Sequence, residues 1–330
     1  MSQVHSSASG WTARRVLVTG ADGFVGRWLI RALLDRGARV GALIRPGSTR
    51  PPKSHWDVRE TEVPVASCDI TDLAGISKLI ADWEIETVYH LAAINTNTGT
   101  DASPYRILET NTRGVYTVLE ACRVAAKPVR VVVASSKEVE DCFLPGATRR
   151  HHPYMVSKAA AELAARAYHD VFQLPVALVR SDNLYGGGDF NWSRLVPSTI
   201  RSIFQGETPV IRGDGRLRRD YVYIEDAVAA YLAIGERLGD PAVQGRLFRV
   251  ATGVGTSVLE MVQQIVRAAG APDLQPRILN EKSDERVDTF YAPELEQVML
   301  GWRNQCSLAE GLTRTCRWYH DFFKKTTTPR

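Results

Sequence analysis

Three glycines set between an apolar run and an amphipathic stretch constrain this chain most. The segment Val16-Leu-Val-Thr-Gly20-Ala-Asp-Gly23-Phe-Val-Gly26 predicts a strand, a tight turn and a helix in immediate succession. Gly20 permits the turn, Gly23 lets the main chain approach a pyrophosphate, and Gly26 lets the helix lie close to the strand. Phosphates would sit on the unbonded N–H groups at the helix start. Gly20, Asp22, Gly23, Phe24, Val25 and Gly26 are therefore the expected dinucleotide-binding residues. An ordinary strand–helix turn can be spelled the same way, so the reading depends on whether the pattern recurs along the chain.

It does recur. Short β-branched runs at Val16 to Thr19, Arg39 to Ile44, Val65 to Cys68, Thr87 to His90, Val129 to Ala134 and Val176 to Arg180 read as strands. Between them, apolar residues return every three or four positions at Phe24 to Arg36, Ile76 to Trp83, Tyr105 to Ala126 and Tyr154 to Phe172, the period of a helix with one buried face. Strands alternating with helices predict an α/β fold, a doubly wound parallel sheet covered on both faces. After Asp182 the rhythm loosens into shorter helical pieces at Ser193 to Gln205, Glu225 to Leu238, Thr256 to Ala269 and Leu308 to Phe323. The expected division is a disordered or extended segment over 1–14, a dinucleotide-binding domain over 15–181, and a smaller C-terminal lobe over 182–330 that mainly binds substrate.

Composition removes whole classes of function. With 330 residues and 44% hydrophobic content the chain can bury a sizeable core, which excludes a disordered tail or a disulfide miniprotein. The 41 Lys and Arg exceed the 37 Asp and Glu by only four, and they are scattered, so no nucleic-acid surface is expected. Cys68, Cys122, Cys142, Cys306 and Cys316 form no CxxC or Cys/His cluster, so no metal is expected and the thiols read as reduced. No apolar run resembles a signal-peptide core or a membrane span, and a soluble cytoplasmic protein is the expectation.

Other positions extend the binding site. Val40-Gly-Ala-Leu-Ile-Arg45 ends in a cation where an NAD-binding strand usually ends in a carboxylate. Arg45 can receive the 2′-phosphate of NADP, stack on adenine or be a solvated loop residue, so the cofactor stays NAD or NADP. Asp69 and Ile70 after the third strand, and Leu91, Ala92 and Ala93 after the fourth, would line the cofactor's path. Tyr154 and Lys158 lie four residues apart at a helix start and so share one face. A nearby cation together with an oxidised nicotinamide ring would lower a phenol's pKa, and a phenolate can take the proton from a sugar hydroxyl while hydride leaves to the nicotinamide. Further on, the turn Ile211-Arg212-Gly-Asp-Gly-Arg216-Leu-Arg218-Arg219 carries four arginines suited to a diphosphate, or else is a solvated basic loop.

These motifs together resemble the extended short-chain dehydrogenases/reductases, in the NAD-dependent epimerase/dehydratase group that modifies nucleotide-activated sugars. The resemblance runs from about Arg15 to about Trp318. It rests on Thr19 to Gly26, His90-Leu-Ala-Ala93, Asn111, Ser135-Ser136, Tyr154 to Lys158, Asn183-Leu-Tyr-Gly186, Arg219 to Asp226 and Leu300-Gly-Trp302. Gly23 to Trp28 and Gly186 to Pro197 are most similar to the CDP-glucose 4,6-dehydratase branch. The resemblance implies a Rossmann-type fold, a tightly bound and recycled NAD or NADP, and a nucleotide-diphosphate sugar as substrate. It implies a homodimer through the helices at Tyr105 to Ala126 and Tyr154 to Phe172. Ser136 would bond the reacting hydroxyl, Tyr154 would be the base for oxidation at carbon 4, and Lys158 would tune Tyr154 and hold the nicotinamide ribose. Asn183 and Arg219 would grip the diphosphate, with Arg194, Leu195, Arg212 and Arg286 as further substrate contacts.

The chain departs from that pattern after the serine, where it reads Ser136-Lys137-Glu138-Val139-Glu140-Asp141. Sugar dehydratases commonly place an acid and a base at the first two positions and Tyr-Gly at the last two. Lys137 as proton donor and Glu138 as base at carbon 5 would suit elimination of water, the leading expectation. A carbon-4 epimerase, which needs neither, comes close behind, then an NADPH-consuming ketosugar reductase and, outside enzymology, a dinucleotide-binding sensor. The competing reading of the charged pair is a simple salt bridge between Lys137 and Glu138. His151 and His152 lack a third ligand nearby and read as substrate-loop residues.

Overall fold

The computed structural model describes residues 10–48, 63–95, 103–143, 152–281 and 290–327. Strands β1 (Arg15–Thr19), β2 (Arg39–Ile44), β3 (Val65–Ser67), β4 (Thr87–His90), β5 (Arg130–Ser136), β6 (Val176–Ser181) and β10 (Leu247–Val250) form one seven-stranded sheet in the order β3-β2-β1-β4-β5-β6-β10. Every pairing in it is parallel, with Val16 opposite Val40 on one side of β1 and Thr87 on the other. Side chains alternate across such a sheet, and β1 shows the consequence. Val16 and Val18 face a core shared with Leu29, Ile30 and Leu33 of α1 (Phe24–Leu34). Leu17 faces the opposite core, with Ile76 and Ile80 of α2 (Leu73–Asp82). Burial on both faces explains why these strands read as continuous apolar runs.

Helices α4 (Gly114–Arg123) and α5 (Pro153–Phe172) cover the Leu17 face, and the short α3 (Pro104–Leu108) packs against α5. The stretch expected as one helix from Tyr105 to Ala126 is interrupted by a π-helical turn at Glu109–Arg113, which turns the buried Asn111 inward. Asn111 Oδ1 accepts from Ile94 N at 2.7 Å and Nδ2 donates to Ile94 O at 3.0 Å, so the interruption ties the helix to the loop after β4. Wide turns of this kind recur at functional sites.

The second half of the chain contributes α6 (Leu195–Phe204), α7 (Ile224–Arg237), α8 (Val258–Ala268), α9 (Glu294–Leu300) and α10 (Leu308–Thr327). With them run β7 (Asn183–Tyr185), β8 (Val210–Ile211), β9 (Arg218–Tyr223), β11 (Gly255–Ser257) and β12 (Arg277–Ile278), arranged as a three-stranded sheet β11-β9-β7 and a two-stranded sheet β12-β8. Two of the late elements belong with the main sheet. β10 closes its edge beside β6, and α7 shares the α1 core through Ala227, Ala230 and Ile234. The sequence reading did not mark β10, Leu247-Phe-Arg-Val250. Among the described residues no helix is long and apolar enough to cross a membrane, and all five cysteines are free.

Candidate active site

The carboxyl ends of β1, β4, β5 and β6 meet at one rim of the sheet. At β1, Gly20 takes φ +64°, where a Cβ would meet Ala92 N at 2.8 Å. A Cβ on Gly26 would meet the Gly20 carbonyl at 2.4 Å, so the first turn of α1 lies directly against the strand end. Gly23 caps α1 without any side-chain hydrogen bond, which leaves the N–H groups of the first turn available. Asp22 accepts from Ser48 Oγ, and its carbonyl accepts from Arg27 Nη2 at 2.6 Å, which steadies the turn. Phe24 and Val25 are partly buried beside it. This cradle fits a pyrophosphate, as the glycine spacing predicts.

The remaining cofactor-side candidates converge on the same rim to different degrees. Thr19 Oγ1 accepts from Leu91 N and Ala92 N at 3.2 Å each and sits 3.0 Å from His90 Nδ1, clamping the ends of β1 and β4 together. Ala93 is exposed just beyond. Burial next to Lys158 lowers His90 to about 3, so its ring is neutral. Asp69 is exposed and accepts from Thr71 N and Oγ1 at 2.9 and 2.7 Å, bonds that hold its carboxyl below the usual range. Ile70 is buried against Gly114. Arg45 is exposed in the loop after β2.

Ser136, Tyr154 and Lys158 come together where β5 ends and α5 begins. Ser136 Oγ accepts from Glu138 N at 3.3 Å, capping the 3₁₀ turn at Lys137–Cys142, and it is hydrogen-bonded to the Tyr154 hydroxyl. Lys158 is buried and donates to the Ala134 carbonyl at 2.8 Å. Ser157 Oγ donates to Tyr154 O at 2.6 Å and accepts from Asn111 Nδ2 at 3.0 Å, which locks this turn of α5 to the π turn. His152 caps α5 through Tyr154 N at 3.3 Å, a structural use of that histidine, while His151 lies outside the described residues. In the chain without cofactor, burial first, and then the Glu138 carboxylate, push the phenol up to about 12, against the Ser136 bond and Arg194. The Lys158 ammonium is turned to the Ala134 carbonyl. Burial also lowers that ammonium to about 8, with Glu162 opposing.

Lys137 has a carboxylate partner distant in the chain. Its Nζ lies 2.8 Å from Asp182 Oδ1, across the gap between β6 and β7, and it also acts on the Asp220 carboxylate. The Glu138 charge also acts on Tyr154.

On the substrate side Asn183 Nδ2 donates to Asp220 O at 3.1 Å, and Arg219 lies two residues before Tyr221, the residue opposite Asn183. Arg194 caps α6 ahead of Leu195, pairs with Asp189 at 3.0 Å, and is close enough to act on Tyr154. Arg212 and Arg218 are exposed, and Arg218 Nη2 bonds the Gly255 carbonyl, so the basic turn is partly a structural clasp. Arg286 lies outside the described residues. Among the described residues no His, Cys, Asp and Glu cluster could hold a metal ion.

The arrangement of cradle, serine, tyrosine and lysine agrees with the match of residues 16–250 to the model of the NAD dependent epimerase/dehydratase family. The chain belongs to that family. This epimerase/dehydratase is 32% identical over 321 residues to the UDP-glucose 4-epimerase of Mycolicibacterium smegmatis, an alignment covering 93% of this chain and 99% of that protein. It is 31% identical over 344 residues to a dTDP-4-dehydro-6-deoxy-D-allose reductase of Streptomyces sp., covering 95% and 98% respectively. Among solved structures, an epimerase from Methanothermobacter thermautotrophicus superposes with a TM-score of 0.84 at 25% identity, over 96% of this chain and 95% of that one. The Rossmann-type fold and the nucleotide-sugar enzyme class expected from the motifs are thus confirmed.

Sequence reasoning missed several residues that build the epimerase/dehydratase rim. Asp220 is buried and accepts from Thr252 N, Thr252 Oγ1 and Gly253 N, at 2.9, 2.6 and 2.7 Å. Burial raises its carboxyl despite those bonds. Thr19, quoted only as part of the glycine motif, and Glu162 were given no role there. The only sequence signal for Glu162 is its place one turn after Lys158 on the buried face of α5.

Proposed function

We propose that this enzyme binds a nucleotide-diphosphate sugar beside NAD, withdraws hydride from sugar carbon 4, and returns it to the opposite face, a carbon-4 epimerisation. The observation that carries this reading over elimination is the ion pair of Lys137 with Asp182 at 2.8 Å. An ammonium already engaged by a carboxylate is poorly placed to expel the hydroxyl at carbon 6, while Ser136, Tyr154 and Lys158 stand assembled for the shared oxidation step. Glu138 favours the second reading, 4,6-dehydration, because its charge reaches Tyr154 and a base there could serve carbon 5.

In this reading Ser136 orients the carbon-4 hydroxyl and Tyr154 Oη takes its proton. Lys158 lends positive charge to that transfer. The nicotinamide of bound NAD supplies the hydride acceptor, and later the donor. Gly20, Gly23 and Gly26 would hold the cofactor's pyrophosphate, and Asn183, Arg219 and Arg194 would bind the sugar diphosphate. Arg45, solvent-exposed after β2, would stack on the adenine of NAD; a 2′-phosphate there would make the cofactor NADP, and identifying the nucleotide released on denaturation distinguishes the two. The exposed Tyr105, Leu163 and Phe172, 71%, 56% and 53% accessible, support a homodimer built on α3 and α5. A sedimentation mass equal to one chain at micromolar concentration would remove that dimer. Free thiols on all five cysteines suit a reducing, cytoplasmic setting.

Incubation with UDP-hexoses in D2O tests the reaction. Epimerisation gives a new isomer of unchanged mass, whereas dehydration gives loss of water with one deuterium gained.

A further inference from the structure

Four charged side chains form an unbroken line beneath the strand ends that carry Ser136. Glu162, one helical turn beyond Lys158, is 2% exposed and accepts from Arg180 Nε and Nη2 at 2.7 Å each. The same carboxylate accepts from Ser135 Oγ at 2.6 Å. Arg180 Nη1 then reaches Glu140 Oε1 at 3.4 Å, and Arg249 Nε and Nη2 approach that oxygen at 3.0 and 2.9 Å. The line joins β5, the 3₁₀ turn, α5, β6 and β10. Glu140 stands where related sugar dehydratases commonly carry the tyrosine of Tyr-Gly, so this part of the line is a departure of this chain.

Stability alone does not account for it, because a buried ion pair recovers little more than its desolvation penalty. Position does. Lys158 is 4% exposed, and a buried ammonium stays charged only beside fixed negative charge. The nearest ionisable groups on the elements around it are Tyr154 and Glu162 on α5, neutral His90 on β4, Arg180 on β6, and Glu138, Glu140, Asp141, Cys142 and the Asp182-paired Lys137 on the 3₁₀ turn. Glu109 and Arg113 on the π turn pair with each other at the surface. On α3 Arg106 is exposed, and on α4 Glu120 and Arg123 pair beside Tyr168, toward the far end of α5. Glu162 is the carboxylate on Lys158's own helical face, and the guanidiniums of Arg180 and Arg249 alternate with Glu162 and Glu140.

We propose that Glu162 and Glu140 are positioning residues, whose carboxylates, held in line by Arg180 and Arg249, keep the Lys158 ammonium charged and fix the serine end of β5. The catalytic value of that charge rests on the function proposed above, but the charge itself does not. Removing either carboxylate leaves the site more positive and discharges Lys158 at lower pH. Removing Arg249 leaves the site more negative and has the opposite sign. Loosening of the fold would move all three variants the same way.

The test is the titration of the Lys158 13Cε resonance in lysine-labelled protein without cofactor, assigned by its loss in Lys158→Met. Expected is a midpoint lowered by roughly one pH unit in Glu162→Gln, lowered less in Glu140→Gln, raised in Arg249→Gln, and near the parent value in Glu162→Asp. If Glu162→Gln fails to fold, the opposed shifts of Glu140→Gln and Arg249→Gln decide. Unchanged midpoints, or shifts of one sign, overturn the proposal. Opposed shifts with no matching change in the pH profile of turnover leave the charge relationship standing and count instead against the role given to Lys158 in the reaction.

Discussion

Lys137 Nζ and Asp182 Oδ1 lie 2.8 Å apart, linking the residue after Ser136 to the turn between β6 and β7. The pair is partly shielded, with side chains 21% and 14% exposed. It ties the 3₁₀ turn to the loop that leads into Asn183, and so holds the two flanks of the sugar site at a fixed separation. If that is its role, Lys137→Met keeps carbon-4 inversion and raises KM more than it lowers kcat. Steady-state kinetics on the preferred nucleotide sugar check this, and a selective collapse of kcat would return Lys137 to the chemistry.

Tyr154→Phe removes the proton acceptor while preserving the ring's packing. Turnover falls by roughly 100- to 10,000-fold, the usual contribution of a positioned base, with the thermal midpoint nearly unchanged. Activity within tenfold of the parent would exclude Tyr154 as the base.

Glu138→Gln acts on the same phenol from outside. The carboxylate helps hold Tyr154 up at about 12, so its loss lowers the phenol and eases deprotonation. The rising limb of the pH–rate profile is expected to move toward lower pH. Movement toward higher pH would mean that Glu138 itself accepts the proton.

His90 makes the fold sensitive to acid. Its ring is held near 3, against an ordinary unfolded value near 6.5, so between those values the unfolded chain binds a proton that the folded chain refuses. Stability contributed by the neutral ring is full above the unfolded value and falls as pH drops through the window, by about 1.4 kcal/mol per pH unit. Denaturant titrations from pH 7 to pH 4 show this slope in the parent and a shallower one in His90→Asn. Equal slopes would contradict the burial.

Gly26→Ala tests the cradle. The added Cβ would stand 2.4 Å from the Gly20 carbonyl and 3.0 Å from Ala21 Cα, both backbone, so α1 must move outward. A cost of about 1–3 kcal/mol in stability is expected, together with loss of co-purifying dinucleotide. Retention of the nucleotide at parental stoichiometry would contradict the cradle.

What the sequence made legible was local. The Gly20–Gly26 spacing, the four-residue step from Tyr154 to Lys158 and the alternating β and α periods each act through near neighbours, and each appears as expected. The charged contacts of the site were not legible, because their partners are distant in the chain. Glu162 meets Arg180 at a separation of 18 residues, Glu140 meets Arg180 at 40 and Arg249 at 109. Lys137 likewise meets Asp182 only through the folded sheet. The π turn at Asn111 escaped for another reason, since one widened turn scarcely disturbs the apolar period of the helices around it.

The most direct measurement tracks a deuterium placed on carbon 4 of a UDP-hexose through one turnover in ordinary water. If hydride leaves to the bound nicotinamide and returns to the opposite face, the inverted product keeps the deuterium on carbon 4, and Tyr154→Phe forms almost none of it. Inverted product that has lost the label to solvent, or a dehydrated product carrying the deuterium to carbon 6, would contradict carbon-4 epimerisation.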